Sequence, residues 1–423
     1  MKVLQVSTEN NSGGASRSAY RLHQTLLEQN IDSSMRVLTH QTANSRVISG
    51  RAPRTYTQKI KDKTSQLLWR YSTRNWRTDN PILHSFGRDS AGIVDELNQS
   101  SADVLNLHWI PKLLSIQDVG ALRKPIVWTV HDMWPFCGAE HVTPDVPDAR
   151  FRQGYLPNNR PESERGPDLN MQTWLLKRNA WSKQQFKFVC PSKWMASCVA
   201  QSVLFGDLKM SIDVIPNPLD TIHTWRPIDK DIARRKIGLD PHRRYVIAGS
   251  GGGMPTIKGD DLLPELMTRL NSQRSDPVEL IIFGRYGAAT HERWGCRVHW
   301  MGPVQDDAVM ATLYSAGDVM IVPSRQDNLP NTAIEAMACG TPVVAFNLGG
   351  LPDIVDHGRS GWLAVPTDLE GLSKGITWLL SDGHRLNDMS VAARDSAVKK
   401  FSAAIVAERY LSVYADAIAS RHS

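Results

Sequence analysis

The chain has 423 residues, 41% of them hydrophobic and 22% charged, the make-up of a soluble globular protein with two or three domains and ample core. Its five cysteines (137, 190, 198, 296 and 339) are an odd number without a C-x-x-C pair. That points away from a disulfide framework or zinc site and toward a reducing compartment, and no run approaches the roughly 18 apolar residues of a membrane span. The net charge of +6 is uneven, +7 over residues 1–220 and −1 over 221–423, so an anionic partner is expected for the first half.

The chain enters a strand-like run, Lys2-Val-Leu-Gln-Val6, at once, too short an apolar stretch for a secretory signal. The expected location is the cytoplasm, free or lying on a membrane. Asn11-Ser-Gly-Gly-Ala15 follows, then a helical pattern through Ala19, Leu22, Leu26 and Leu27. A strand, a glycine turn and a helix N-terminus can cradle an anion, or the glycines only make a turn. The spacings of a dinucleotide fingerprint and of a P-loop are both missing. Residues 51–77 hold eight basic residues against one acid, Asp62, interleaved with Tyr56, Ile60, Leu67, Leu68, Trp69, Tyr71 and Trp76. Such a segment suits an amphipathic element on an anionic membrane surface or a solvated helix with one packed face. Nucleic acid is not an expected partner.

Two strand-like runs, 103–109 and 125–132, carry His108 and His131 at their ends. Ends of parallel strands are where open α/β sheets place ligands, although a histidine there is often structural. Residues 137–185 are polar and proline-interrupted, with a helical pattern only near 174–181. They read as an acceptor or lid loop, or as a surface excursion. Pro216 and Pro218 mark a link to a second domain.

That domain restarts with a strand running into Gly249-Ser-Gly-Gly-Gly253 and reaches Lys258-Gly259. A glycine loop with one lysine before a helix suits a diphosphate, since a lysine is a compact point charge. Arg285 ends the strand-like run 279–284, free to meet a phosphate or to form a surface ion pair. After a helical pattern over 308–316 and a buried-strand run over 318–323 comes Ser324-Arg-Gln-Asp-Asn-Leu-Pro-Asn-Thr-Ala-Ile-Glu-Ala-Met-Ala-Cys-Gly340. Pro330 suits a first helical position, Ile334, Met337 and Ala338 make an apolar stripe, and Gly340 with Pro342 stops the helix. Its free amides, about Asn331 and Thr332, make an anion site. Asp327 and Glu335 stand eight positions apart; on spacing alone they would favour the helix dipole and a solvated face. Strand and helix signals alternate throughout, so each half reads as a βαβ sandwich.

The stretch 323–350 and Lys258 resemble the retaining glycosyltransferases of family 4, in particular bacterial exopolysaccharide and O-antigen enzymes. The likeness extends more weakly to residues 2–14 and 129–135. It implies an α/β GT-B fold of two Rossmann-like domains facing across a cleft: an acceptor-binding domain over 1–217, a nucleotide-sugar domain over 218–400, and a helix over 401–423 crossing back. It implies transfer of a sugar from a UDP- or GDP-linked donor to a glycan or polyprenyl-diphosphate-linked acceptor, with retained configuration and no metal or other cofactor. Asp327 would meet hydroxyls of the donor sugar and Glu335 the nucleotide ribose. Asp327 stands where the family has glutamate, one methylene longer. Asn328, Leu329, Asn331 and Thr332 would line the donor site, with Gly13 and Gly14 in the facing loop. His131 would sit beside the donor sugar with Asp132 orienting it, and His108 and Asp132 would serve the acceptor side. Lys258 would hold the diphosphate; the family arginine six residues earlier is here Gly252, and Arg285 is the replacement the sequence offers. Two other readings stand beside this one: a nucleotide-sugar epimerase of the same architecture, and a non-catalytic protein binding nucleotide sugar or membrane.

Overall fold

In the computed structural model, the described residues are all but 11–12, 41–43, 54, 207–209, 252–254, 273, 286–293 and 421–423. Two wholly parallel sheets account for the alternation of strand and helix signals. The first contains β1 (Lys2–Val6), β2 (Asp32–Val37), β3 (Val47–Ser49), β4 (Val104–Leu107), β5 (Ile126–Thr129), β6 (Phe186–Cys190) and β7 (Ser211–Val214) in the order β3-β2-β1-β4-β5-β6-β7. The second contains β8 (Arg244–Gly251), β9 (Val278–Arg285), β10 (Val298–Gly302), β11 (Val319–Val322), β12 (Val343–Phe346) and β13 (Gly361–Ala364) in the order β10-β9-β8-β11-β12-β13. Helices cover both faces of a parallel sheet, so its central strands must be apolar throughout. Strands β11 (VMIV) and β12 (VVAF) meet this fully and are buried along their length. Strands β4 (VLNL) and β5 (IVWT) are equally buried but each carries one polar residue; Thr129 Oγ1 donates to Asn106 Oδ1 at 3.0 Å, so the two satisfy one another.

The chain divides into two compact units, one of Met1–Ile215 with Ala407–Ser423, the other of Pro216–Val406. The sequence boundaries were drawn after 217 and 400. The last helix, Ala403–Ala419, contributes its residues from 407 onward to the first unit.

Trp128, Trp134, Trp181, Phe186 and Phe188 are among the aromatic residues of the first unit's core. Parts of the segment 137–185 belong to this core, while 144–148 and 156–163 run over the surface. The segment holds the helix Leu169–Trp181, and Phe151, Tyr155, Trp174 and Trp181 are all buried. Lys177 on that helix has no exposed surface. Its ammonium donates to the carbonyls of Trp134, Cys137 (3.0 Å) and Gly138 (2.7 Å) and lies 3.9 Å over the Trp134 ring. Three acceptors match its three donors, although burial still lowers the ammonium to about 7. The segment's polar composition therefore serves an internal tie.

The basic segment forms a helix, Tyr56–Thr73, with Trp69 against Phe86 at 5.5 Å. Tyr56, Ile60, Leu67, Leu68 and Tyr71 are exposed, Leu67 to 70%. Packing is thus confined to a small part of the helix, and large apolar side chains face outward.

In the second unit Asp318, wholly buried, precedes β11 and accepts from Arg234 (2.8 Å), Lys230 (2.9 Å) and the Tyr245 amide (2.8 Å). The three donors outweigh burial and hold its carboxyl below the usual range. This pins the amino ends of β8 and β11 side by side, and their carboxyl ends carry the candidate site.

Candidate functional site

Open parallel sheets bind ligands beyond the carboxyl ends of their strands, at the point where the strand order reverses. In the second sheet that point lies between β8 and β11, and in the first between β1 and β4. The sequence candidates collect at these two places.

Beyond β8 the chain reaches Lys258 and then Gly259, which is left-handed at φ +73°. A Cβ there would stand 2.0 Å from the Pro323 carbonyl oxygen at the end of β11, so the two backbones touch. Lys258 Nζ donates to Asp327 Oδ2 at 2.7 Å, and Ser324 Oγ reaches the same oxygen at 3.2 Å. Behind them Arg325 binds Asp261 with both guanidinium nitrogens, at 2.7 and 2.8 Å, and its amide donates to the Ile257 carbonyl at 2.7 Å. The Arg325 hydrogen bonds hold the Asp261 carboxyl below its ordinary value. On the other side the Gly350 amide donates to the Asp327 carbonyl at 3.0 Å. Gly349, at φ +56°, passes so close that a Cβ would lie 2.2 Å from that carbonyl. Asp327 is thus held by main chain on both flanks.

The helix Asn331–Ala338 follows, with Pro330 at its N-cap, one position earlier than expected, and no side-chain cap. Gly340 takes the left-handed stop at φ +79°. Asn331 Oδ1 accepts from Asn217 Nδ2 at 3.0 Å. Asn328 and Thr332 are half-buried, whereas Leu329 places its side chain in the core, so what it can offer a ligand is its backbone. Glu335 is not a solvated face residue. It is 4% exposed and accepts from Tyr314 Oη at 3.0 Å. Arg285 is exposed as the last residue of β9, in register with Gly251. Gly252, the departure from the family pattern, lies outside the described residues.

In the first unit His108 follows β4 directly and His131 follows β5 with one residue between, His108 Nδ1 and His131 Nε2 being 3.0 Å apart and the rings stacked. Burial drives both below the usual imidazole range, His131 to about 4 against a small opposing pull from Asp132; the His131 charge adds to the effect on His108. The expectation that Asp132 orients His131 is corrected. Its carboxylate is taken up by His141 Nδ1 at 2.6 Å, Trp109 Nε1 at 3.0 Å and the Trp134 amide at 3.0 Å. Burial raises the Asp132 carboxyl, but the His141 charge and these hydrogen bonds outweigh it, leaving it below the ordinary value. His141 Nε2 meets Ser85 Oγ at 2.8 Å. Gly13, at φ +78°, opens the helix Gly13–Glu28, and the Gly14 carbonyl accepts from Ser18 Oγ at 2.9 Å.

The structure therefore brings Lys258, Asp327 and the Asn331–Thr332 turn together, and pairs His108 with His131. His141, Tyr314 and the Arg325–Asp261 pair were missed. Gln5 was missed as well, although a glutamine inside an apolar strand was a visible signal. Among the described residues no three His, Cys, Asp or Glu side chains gather as metal ligands would.

Residues 245–382 match the family model described as "Glycosyl transferases group 1". A D-inositol 3-phosphate glycosyltransferase of Segniliparus rotundus is 38% identical over 192 residues, 43% of this chain and 42% of that protein. D-inositol 3-phosphate glycosyltransferase 2 of Catenulispora acidiphila is 33% identical over 198 residues, 43% of this chain and 46% of that protein. The chain thus spans less than half the length of these relatives. Among solved structures, Anabaena HepE in complex with UDP and glucose superposes with a TM-score of 0.66 at 16% identity, covering 98% of this chain and 99% of that one. Sucrose-phosphate synthase from Thermosynechococcus elongatus gives 0.62 at 15% identity, with 99% and 100% covered. The fold, two parallel-sheet α/β domains, is that of the GT-B glycosyltransferases.

Proposed function

We propose that this protein is a glycosyltransferase that moves a sugar from a nucleoside diphosphate to an acceptor hydroxyl with retention of configuration. The observation that carries this reading is the meeting of Lys258, Asp327 and the first turn of the helix Asn331–Ala338 at the strand-order reversal of the second sheet. The matched family region encloses Lys258, Arg285, Asp327 and Glu335.

The chemistry follows from where charge develops. As the bond from the anomeric carbon to the phosphate oxygen breaks, its electron pair goes to the diphosphate. Lys258, Arg285 and the helix amides meet that charge without a metal; one such contact is typically worth on the order of 10²–10³ in rate. The acceptor oxygen attacks from the same face, and its proton passes to the departing phosphate. Asp327 would hold hydroxyls of the donor sugar and Glu335 the ribose; His131 is the first unit's candidate for a sugar hydroxyl, while His108 and Asp132 engage their polar atoms within that unit. The neighbour solved with UDP and glucose supports a uridine nucleotide, with GDP the alternative.

The acceptor in this reading is a glycan or a polyprenyl-diphosphate-linked glycan of bacterial surface polysaccharide. The relatives named for inositol 3-phosphate favour a second reading, a phosphorylated polyol acceptor. The helix Tyr56–Thr73, which exposes Lys63 and Arg70 beside large apolar side chains, would rest on an anionic membrane.

Purified protein is incubated with UDP- and GDP-sugars, with each acceptor class and with none, in the presence and absence of EDTA. Transfer that needs an acceptor and survives EDTA is the expected result. Conversion of donor alone would instead favour an epimerase. Full transfer by both Lys258→Ala and Glu335→Ala would overturn the assigned roles.

A further inference from the structure

We propose that a directed hydrogen-bond chain from Tyr414 through Gln5 and His108 fixes the tautomer of His131. His131 then carries its proton on Nε2 and keeps Nδ1 as an acceptor, and the group that meets Nδ1 must donate. Gln5 and Tyr414 are thus positioning residues for His131, although neither reaches it. The glycosyltransferase reading enters only in taking that donor to be a sugar hydroxyl.

The chain is read from its ends. Asn106 Nδ2 donates to Tyr414 Oη at 2.7 Å, and Thr129 Oγ1 donates to Asn106 Oδ1 at 3.0 Å. Gln5 Nε2 donates to the same phenol oxygen at 3.3 Å, and Gln5 Oε1 stands 2.7 Å from His108 Nε2. The reverse orientation of the Gln5 amide would make the first of these an O–H···O bond and the second a contact between two nitrogens. O–H···O bonds are typically about 2.7–2.8 Å and N–H···O bonds about 2.9–3.0 Å. A separation of 3.3 Å is long for the former, and 2.7 Å is short for two nitrogens. The distances select the amide with its oxygen toward His108.

The rest follows without freedom. His108 Nε2 must carry hydrogen to donate to Gln5 Oε1. A neutral imidazole has one hydrogen, so His108 Nδ1 is an acceptor. His131 Nε2, 3.0 Å away, must donate to it. His131 Nδ1 is then the lone-pair nitrogen. Both rings are neutral near pH 7, because burial holds each well below the usual imidazole value, so a tautomer is defined. Gln5, Asn106 and His108 are buried, which shields the chain from water that could reverse it.

The test is a long-range ¹H–¹⁵N correlation spectrum of the full-length protein labelled at histidine nitrogen, with the His131 signals identified by their loss in His131→Asn. The expected wild-type pattern is a protonated Nε2 and a bare Nδ1 on His131. A protonated Nδ1 overturns the proposal. In Gln5→Met, which removes the acceptor for His108, the pattern should shift to the other tautomer or to a mixture of both. An unchanged pattern there overturns the role of Gln5, and Tyr414→Phe repeats the question if that variant does not fold. The spectrum needs no substrate. A protein without transferase activity can still show the tautomer, and an active one can still show the wrong one.

Discussion

Lys258 and Asp327 are bonded to one another, Nζ to Oδ2 at 2.7 Å. The cation assigned to the diphosphate is thus held by the carboxylate assigned to the sugar. In the proposed function, donor binding exchanges this partner for a phosphate oxygen and turns the carboxylate to sugar hydroxyls. The same pair can therefore favour a donor that brings both halves over one that brings the nucleotide alone.

Asp327→Asn separates those halves. It releases Lys258 without removing it, so UDP alone should bind as well as to wild type or up to about fivefold tighter, the ~1 kcal/mol of a partly exposed ion pair. Transfer should fall by roughly 10²–10³. Calorimetry with UDP beside a turnover assay checks both, and a loss of UDP affinity in this variant would contradict the exchange.

Tyr314→Phe leaves the buried Glu335 carboxylate without its phenol donor. We expect the second unit to lose about 1–3 kcal/mol, the cost of an abandoned hydrogen bond to a charged group, and donor affinity to fall with it. Denaturant unfolding and donor titration are the measurements. Unchanged values in both would mean that Tyr314 has no part in holding Glu335.

Lys177→Met preserves length but abandons three buried carbonyls. The loss should be on the order of 3 kcal/mol, visible as a lower urea midpoint for the first unit. A midpoint equal to wild type would return the segment 137–185 to the class of loosely attached loops.

Acid should weaken the first unit. His23, fully buried against Ser33 Oγ at 2.8 Å, is lowered to about 4 by burial and by the Arg46 charge, and burial lowers His131 to about 4 as well. Between about 4 and the unfolded value of about 6.5, the unfolded chain binds more protons than the native one, so stability rises with pH. The contribution is complete above about 6.5 and lost as pH falls toward 4, up to ~3 kcal/mol for a fully buried case such as His23. Burial raises Glu140 to about 7 and raises Glu164 as well, which act in the opposite sense, but it also lowers His84 and His108, so four imidazoles stand against two carboxyls. Urea midpoints at pH 7 and pH 5 decide; a higher midpoint at pH 5 would refute the assignment.

Vesicles containing anionic lipid should retain the protein at low salt and release it as salt rises. Reversing Arg70, Arg74 and Arg77 to glutamate should abolish retention without changing the unfolding midpoint. Equal retention on neutral vesicles would show that charge plays no part.

Much of this was readable in the sequence because it is local. The run 323–350 encodes a turn, a helix, a glycine stop and a strand within a few residues of each other, and the alternation of elements pointed to the sheets. Partners distant in the chain were not readable. Glu335 looked solvated because Tyr314 lies 21 residues away on another helix, and Asp132 was assigned to its neighbour His131 when the fold gives it His141. The polar composition of 137–185 concealed Lys177, since composition does not say which charges turn inward. Gln5 was legible as an oddity, but only the fold supplies Tyr414, 409 positions on.

The close backbone approach that leaves no room for a Cβ at Gly259 beside the Pro323 carbonyl has a bearing on how such a catalyst could change its preferences. The spacing between the loop that carries Lys258 and the loop that carries Asp327 is set there by peptide groups, which substitution elsewhere leaves alone. Laboratory evolution toward another sugar or nucleotide could therefore vary the surrounding side chains widely, provided Gly259 is kept as glycine.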